Sequence, residues 1–578
     1  MTTRQASGAA ARSSPFAPLR HPVFRAIWIA TLVSNFGSLI QSVGASWMMT
    51  SIAGSADMVA LVQASTTLPI MLFSLAAGAI ADNFDRRKVM IAAQALLLTV
   101  SIGLAALTYL GLITPWLLLT FTFLVGCGTA LNGPAWQASV GEQVPREDLP
   151  GAVTLNSISF NIARSLGPAV GGALVAAAGA AAAFLANVLS YVGLILVLAR
   201  WKRQPPERQL PREPLVSAMM AGLRYSAMAP AINRVLLRGL SFGLTGSAVW
   251  ALMALIARDR LRGGPLTYGL ILGAFGIGAV LGAFISSHLR RRLSNEALVR
   301  WSLVSYGAGT AIAGLSQTLP LTMAGLLLTG AGWVLALSTF NVSVQMSAPR
   351  WVVARALAVY QTVTFGGMAI GSWLWGHVAE GIGLRDAMIL SGIAVLASAA
   401  IGFWRDLPQM EKLDLTPVYR DALPMPKVEL DLRSGPVVLQ VEYTVDPKDA
   451  LAFLAAMDER RRIRQRNGAR NWTLMQDLAH PELWIERYHS ATWGEHLHQR
   501  ARITVADQEV DRRVLAFHRG DAPPRIRRFL ERPAGALPAG SLHEPRTSER
   551  GAVVDPTLPP QAAPLAETGK AGSGQARA

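Results

Sequence analysis

The stretch GAIADNFDRRKVM, Gly78 to Met90, joins a long apolar run to a dense knot of charge. Much later, GAFISSHLRRRL, Gly282 to Leu293, repeats its outline. A shift of 204 residues lays Gly78 on Gly282, Ala79 on Ala283, Arg86 on Arg290 and Arg87 on Arg291. The same shift, without a gap, lays Gly126 and Gly128 on Gly330 and Gly332, and Pro145-Arg146 on Pro349-Arg350. It also carries Gly167 and Gly172 onto Gly371 and Gly376. An internal duplication is the simplest source of such agreement.

The repeated segments are greasy. Mean hydropathy is +0.34 and only 15% of the 578 residues are charged. Apolar runs of about 20 residues suffice for a helix to cross the hydrocarbon core. Twelve such runs are expected: 26–50, 57–81, 89–111, 115–140, 152–178, 181–200, 236–258, 267–289, 297–317, 320–345, 355–378 and 384–404. The expected fold is therefore an all-α polytopic membrane protein with twelve transmembrane helices in two six-helix parallel repeats. Parallel repeats related by an axis along the membrane normal are typical of one large class of secondary transporters.

The net charge of +17 is distributed by position. Arg4, Arg12, Arg20 and Arg25 precede the first run, and DRRK, RWKRQ, HLRRR and PRWVVAR follow the second, sixth, eighth and tenth. The alternate loops SIAGSADM, YLGLITPW, AAAGAAAA and SQTLPL carry no Lys or Arg, whereas Arg258, Arg260, Arg262 and Arg385 are exceptions. This is the positive-inside pattern, which places both termini in the cytoplasm and the lipid bilayer as partner. It also removes nucleic acid as the reason for the basic balance. No secretory-signal pattern precedes the first run, which is expected to serve as an uncleaved anchor. Cys127 is the one cysteine, so no intramolecular disulfide can form.

The expected organisation is a cytoplasmic segment (1–25), a first bundle (26–200), a cytoplasmic linker (201–235), a second bundle (236–404), a second linker (405–434), a soluble domain (435–532) and a disordered tail (533–578). In the first linker, QPPERQLPREP cannot be a continuous helix, because proline lacks the N–H and clashes with the preceding turn. LVSAMMAGLRYSAMA then reads either as an amphipathic surface helix or as a simple spacer.

The turn GAIADNFDRRKVM resembles the loop motif of the major facilitator superfamily, a Gly-x-x-x-Asp followed by bases between helices two and three. ARSLGPAVGG resembles the motif of exporters in that superfamily, with Gly167, Pro168, Gly171 and Gly172 in register and Ala163 in place of its first glycine. Over about residues 20–530 the layout is similar to the bacterial transmembrane secretion effector group, which includes the enterobactin exporter. That resemblance implies a multi-pass protein of the bacterial cytoplasmic (inner) membrane that exports a small organic compound such as a siderophore, drug or metabolite. It also implies alternating access and proton antiport.

Under that resemblance Asp82 meets the N-terminal end of the eleventh helix, near Ala354–Ala358, as a gating contact. Asp85, Arg86, Arg87 and Glu142 join it as gating candidates, with Arg86 paired to Glu142 or Asp85. A carboxylate at a helix N-terminus gains roughly 0.3–1 kcal/mol, firm yet breakable. Alternatively the turn only fixes topology. Gly78, Gly167, Pro168, Gly171 and Gly172 are helix-packing candidates, since small residues at four-residue spacing let helices approach closely.

Arg164 lies about half-way along the fifth run, where an ionised group is costly and normally faces a cavity or a partner. It either meets an anionic substrate group or ties helices together. Asn35, Gln41, Asn132, Asn341 and Gln345 are its polar companions in the candidate substrate cavity, with Trp136 beside them. Trp28, Trp47, Trp116, Trp250 and Trp404 fall toward run ends and read as interfacial anchors. No carboxylate sits near the middle of any run, so a central proton carrier is not evident.

Beyond Trp404, VVLQVEYTV alternates as a strand, and the segment from Asp446 to Gly468 reads as a helix. NWTLMQDL and LWIERYHS read as a hairpin, residues 492–517 as a second helix and RIRRFLE as a closing strand. The order β-α-β-β-α-β gives a small α+β ferredoxin-like domain. It resembles antibiotic-biosynthesis-monooxygenase-like barrels and offers a surface for self-association. His480, His489, His496 and His498 invite a metal, but His496 and His498 are two apart and face different sides of a helix, unlike the i, i+4 pair of a metal helix. No metal, cofactor or enzymatic activity is expected. The alternatives are an importer of the same superfamily, or a membrane-anchored enzyme or sensor working through the C-terminal barrel.

Overall fold

The computed structural model describes residues 16–145, 147–202, 215–349, 351–407, 414–415, 418 and 426–532. The side chains of Asp82, Asn83, Pro150, Leu215, Ser217, Ala218 and Ser287 and the tail 533–578 lie outside the described residues. The chain divides into two compact units, one within Met1–Pro206 and Arg212–Leu415 and the other within Thr416–Ala578 apart from a short linker piece.

The first unit is helical. It opens with α1 (Pro22–Ile52), α2 (Ala56–Asn83), α3 (Arg86–Tyr109), α4 (Pro115–Ser139) and α5 (Leu149–Arg200). The linker helix α6 (Leu215–Met228) precedes α7 (Pro230–Leu255), α8 (Pro265–Arg292), α9 (Asn295–Leu315), α10 (Leu319–Ser347) and α11 (Val353–Ile382). The set closes with α12 (Leu384–Ala399) and its short continuation α13 (Ile401–Trp404). Local sequence sets the starts. Ser55, Asp85, Thr114 and Ser294 each accept a backbone N–H three residues on, capping α2, α3, α4 and α9. Pro22, Pro115, Pro230 and Pro265 occupy first positions, where the missing N–H costs nothing.

Among the described residues, nine helices are long and apolar enough to cross a membrane. Two reasons separate that figure from the expected twelve. The fifth and sixth runs form one element, α5, broken only at Gly179, whose φ of 79° and ψ of 173° leave the helical region. Positive φ suits glycine, so one residue in AAAGAAAA reverses the chain. The other reason is α9 and α11, whose Gly, Ser, Thr, Tyr and Gln residues, with Arg300 in α9, dilute their apolar character and leave them outside the apolar set.

Helix pairing follows the same plan in both sets. α1 packs on α5 as α7 packs on α11, α2 on α4 as α8 on α10, and α3 on α5 as α9 on α12. The linker helix α6 does not merely lie on a surface. Ala221 and Tyr225 are buried, and Tyr225 meets the Trp351 ring edge-on at 5.5 Å.

The second unit comprises β1 (Val437–Thr444), α14 (Ala450–Asn467), β2 (Arg470–Gln476), β3 (Leu483–Ser490), α15 (Trp493–Ala501), α16 (Val505–Leu515) and β4 (Arg525–Leu530). All strands are antiparallel in the order β2-β3-β1-β4. The continuous helix expected over 492–517 is instead two helices. Thr504 starts α16 with a reciprocal capping box to Asp507, which outcompetes continuation through Arg502 and Ile503. One face of the sheet holds a fully buried Glu486. Its carboxylate accepts from Trp472 Nε1 at 3.0 Å and Tyr443 Oη at 3.1 Å, and lies 3.1 Å from Arg460 and 3.3 Å from Arg464. Those arginines hold its pKa below the ordinary carboxylate value against the opposing effect of burial.

Candidate functional site

The two helical sets meet through α2 against α11 and α5 against α8, with lighter contacts of α2 with α7 and of α1 with α7 and α8. The crossings are made by small residues. A Cβ built on Gly269 would lie 2.5 Å from the Pro168 carbonyl oxygen, and one on Gly172 would lie 2.9 Å from Gly269 Cα. A Cβ on Gly376 would lie 2.6 Å from that of Ala60. Gly167 and Gly171 serve a different contact, within the first set, where they face Leu39 and Ile40 of α1. Gly78 makes no such approach, because a Cβ there would meet nothing within 4 Å.

Pro168 has no N–H for the carbonyl of Arg164. That freed oxygen faces Gly276 of α8, where a Cβ would come within 2.5 Å of it. The Arg164 side chain crosses to the second set. Its guanidinium carbon stands 5.5 Å from the Trp250 ring centroid and 5.4 Å from that of Phe275. Trp250 and Phe275 meet at 4.8 Å, edge to face, and Trp333, Tyr306 and Phe242 extend the cluster. Trp250 is therefore no interfacial anchor. Trp47 also turns inward, stacking on Tyr268 at 6.3 Å, whereas Trp116 and Trp404 are well exposed.

Of the polar companions proposed for Arg164, none is brought to it by a hydrogen bond among the described contacts. Gln41 is buried within the first set, its Oε1 accepting from Ser101 at 2.9 Å and Asn187 at 2.8 Å. It knits α1, α3 and α5 together. Trp136 packs on the cluster of Ile27, Met90 and Leu198 in the same set. Gln345 donates to Asn341 one turn back on α10. Asn35 is partly buried, and Asn132 keeps a buried Oδ1 without a partner.

The charged turn resolves into braces. Arg86 pairs with Glu142 at 2.8 Å and donates to the Ala138 carbonyl at 2.8 Å. Arg87 donates to the Leu198 and Ala199 carbonyls at 2.8 and 2.6 Å, capping the end of α5. Asp85 caps α3. The Asp82 side chain is outside the described residues; more than two turns earlier on α2, Ser74 reaches α11, 2.7 Å from Thr362 Oγ1 and 3.4 Å from the Ala358 carbonyl.

Two clusters were not legible in the sequence. At the start of α2, the Asp57 N–H donates to Glu380 at 3.3 Å and Asp57 lies 3.6 Å from His377. These three side chains bring donor atoms within 4.8 Å of one another, one fewer than the four ligands of a structural zinc site. Beside them, Arg258 of the α7 end donates to the Thr50 carbonyl of α1. At the opposite end of the second set, buried Arg238 pairs with Glu296 at 2.8 Å, and Glu296 also holds Arg300 at 3.0 Å and the Leu407 N–H at 3.2 Å. Both depend on pairings between distant segments, which no local pattern reveals.

A polytopic helical unit built of two similarly paired sets that touch through glycine crossings is the architecture of a membrane carrier. The sequence matches the family described as transmembrane secretion effector over residues 13–534, and the chain belongs to that family of the major facilitator superfamily. It is 25% identical over 406 residues to the multidrug efflux pump Tap of Mycolicibacterium fortuitum, covering 67% of this chain and 96% of that one. It is 27% identical over 365 residues to the enterobactin exporter EntS of Escherichia coli, covering 62% of this chain and 85% of that one. Among solved structures it resembles a bacterial homologue of the human lysosomal transporter Spinster in an inward-facing, unoccupied conformation. The TM-score is 0.55 at 14% identity, covering 67% of this chain and 97% of that one. These relatives are transporters, not enzymes, and the chain is a multi-pass membrane transporter.

Proposed function

We propose that this chain exports a small organic compound across a bacterial cytoplasmic membrane by alternating access. In this reading α5 supplies two spans on either side of Gly179, and α9 and α11 span as well, giving twelve. The two sets are repeats, supported by elements that begin 204 residues apart, such as Leu149 and Val353. Both termini face the cytoplasm, in keeping with the basic loops.

The observation that carries the proposal is the glycine-lined crossing of α5 on α8 and of α2 on α11. Smooth crossings let two bodies pivot, while Asp57, His377, Glu380 and Arg258 form breakable contacts at the outer rim. Asp82 and Glu142 gate the inner mouth, with Arg86 and Asp85 in support. Arg164, Asn35, Asn132, Asn341 and Gln345 face the substrate path, while Gln41 and Trp136 engage neighbours within the first set. Proton antiport remains part of the proposal, and its carriers are rim carboxylates, since no span carries one near its middle. Siderophore and drug sensitivity of a deletion strain tests the substrate class. Accumulation in inverted against right-side-out vesicles tests direction, and uptake into the right-side-out set would overturn export. An Asp82→Asn variant is expected to insert normally and transport poorly; parent-like flux would remove the latch. Deleting residues 427–578 is expected to leave residual flux, which an enzyme or sensor acting through that unit would not require.

A further inference from the structure

The C-terminal unit holds a partly open cavity of about 70 Å³ between its sheet and the helices α14 and α15. Its floor is set by strand register. Leu439 of β1 stands opposite Tyr488 of β3 on one side and Arg528 of β4 on the other, and Val441 pairs with Ile526. α15 covers this row and directs His496 and Gln499 inward. Both are more than nine-tenths buried, at 2% and 8% exposure.

Buried polar atoms almost always find partners, so each exception asks for a reason. Here such atoms on four side chains converge on one space. Neither ring nitrogen of His496 has a hydrogen-bond partner, and neither has Gln499 Nε2 or Arg528 Nε, while on the acceptor side Asn467 Oδ1 is also without one. The Gln499 carbonyl side is satisfied by Ser490 Oγ at 2.7 Å, which fixes its amide nitrogen as the group left over. Four arginines (Arg460, Arg464, Arg500 and Arg528) line the cavity and no carboxylate does. The neighbouring acids are already engaged, Glu486 by Arg460 and Arg464 and Asp511 by Arg460. Burial and the positive field of Arg528, Arg500 and Arg464 push the His496 pKa down to about 3. The ring is neutral at physiological pH and offers one N–H.

The apolar part of the lining is Leu439, Val441, Ile503 and the half-exposed Ile526. A cavity of about 150 Å³ accepts benzene, so this one, near half that volume, suits a molecule of three to five heavy atoms. A tetrahedral dianion such as phosphate would call for more donors than converge here. We propose that this cavity binds a small organic monocarboxylate, its oxygens accepting from Gln499 Nε2, the His496 ring and Arg528 Nε, its short apolar body resting on Ile503 and Ile526. The site belongs to the soluble unit and is independent of the transport path.

The test uses the full chain in lipid nanodiscs, titrated with acetate and propionate by saturation-transfer NMR, with inorganic phosphate in parallel. Saturable propionate binding is expected in the millimolar range or tighter. It should weaken at least about tenfold in Gln499→Glu, which sets a like charge against the ligand, and vanish in Ile503→Trp, which fills the space. Arg164→Ala, in the helical unit, should bind as the parent does. Circular dichroism melts establish that the variants fold. Absence of saturable binding in the parent, phosphate binding of equal strength, parent-like affinity in both cavity variants, or loss in Arg164→Ala would each overturn the proposal.

Discussion

Replacing Arg164 by alanine removes a tie between the two helical sets that the backbone cannot replace. The guanidinium stands about as far from each ring as a useful cation–π contact allows, at 5.5 and 5.4 Å. A partly desolvated pair at that range is worth about 1 kcal/mol per ring, hence about 2 kcal/mol for Trp250 and Phe275 together. Since both rings belong to the second set, the loss falls on the conformation seen here. Two kcal/mol corresponds to about a thirtyfold change in an equilibrium, enough to turn a preference of about 30:1 into near parity. Cys127 is the one native thiol, so Cys127→Ser gives a clean background. Spin labels at the exposed positions Gly54→Cys and Gln317→Cys report separation of the two sets by double electron–electron resonance. The parent should give one dominant distance and Arg164→Ala two comparable ones. Arg164→Lys, which keeps charge but loses the flat stacking surface, should fall between them. Superimposable distributions for the parent and the alanine variant, in detergent and nanodiscs alike, would refute the clamp.

Further outcomes follow from other contacts. Gly269→Val pushes a side chain into the Pro168 carbonyl, so it should disfavour the present packing and shift the same label distances. Glu296→Ala strands buried Arg238 and should cost about 3–5 kcal/mol, read as a lowered melting temperature in detergent. The C-terminal unit should weaken in mild acid. His496 binds its proton in the unfolded chain near pH 6.5 but in the folded unit only near pH 3, so stability falls as pH drops between those values. The loss should reach about 2 kcal/mol by pH 5 and disappear in His496→Leu, as measured by chemical denaturation at each pH. Glu486, held below the ordinary carboxylate range, contributes its own loss only at lower pH.

Local chemistry was legible where one segment decides the outcome. The apolar runs gave helices close to their observed limits, and VVLQVEYTV gave β1 because alternation fixes which face is buried. Gly179 was readable as a loop, though not as a single-residue reversal inside one continuous element. Thr504 and Asp507 carried the break of the last helices, but the intervening apolar periodicity concealed it. Site residues fared less well, because a polar side chain in a span looks alike whether it faces a cavity or a partner. Gln41 illustrates this: only the arrival of Ser101 and Asn187 makes it a knot inside one set. Trp250 lay near a run end and read as an anchor, yet an arginine from the other set makes it half of a clamp.

The braces of Arg86 and Arg87 have a mechanical consequence. Each guanidinium grips carbonyls of its own set, at Ala138, Leu198 and Ala199, so the ends of α3, α4 and α5 are splinted together. In the alternating-access reading proposed above, a set stiffened at that end would swing as one lever, passing torque at the glycine crossings on to its tips. Softening the splint with a shorter or less forked side chain would let the tips bend while the crossings still turned.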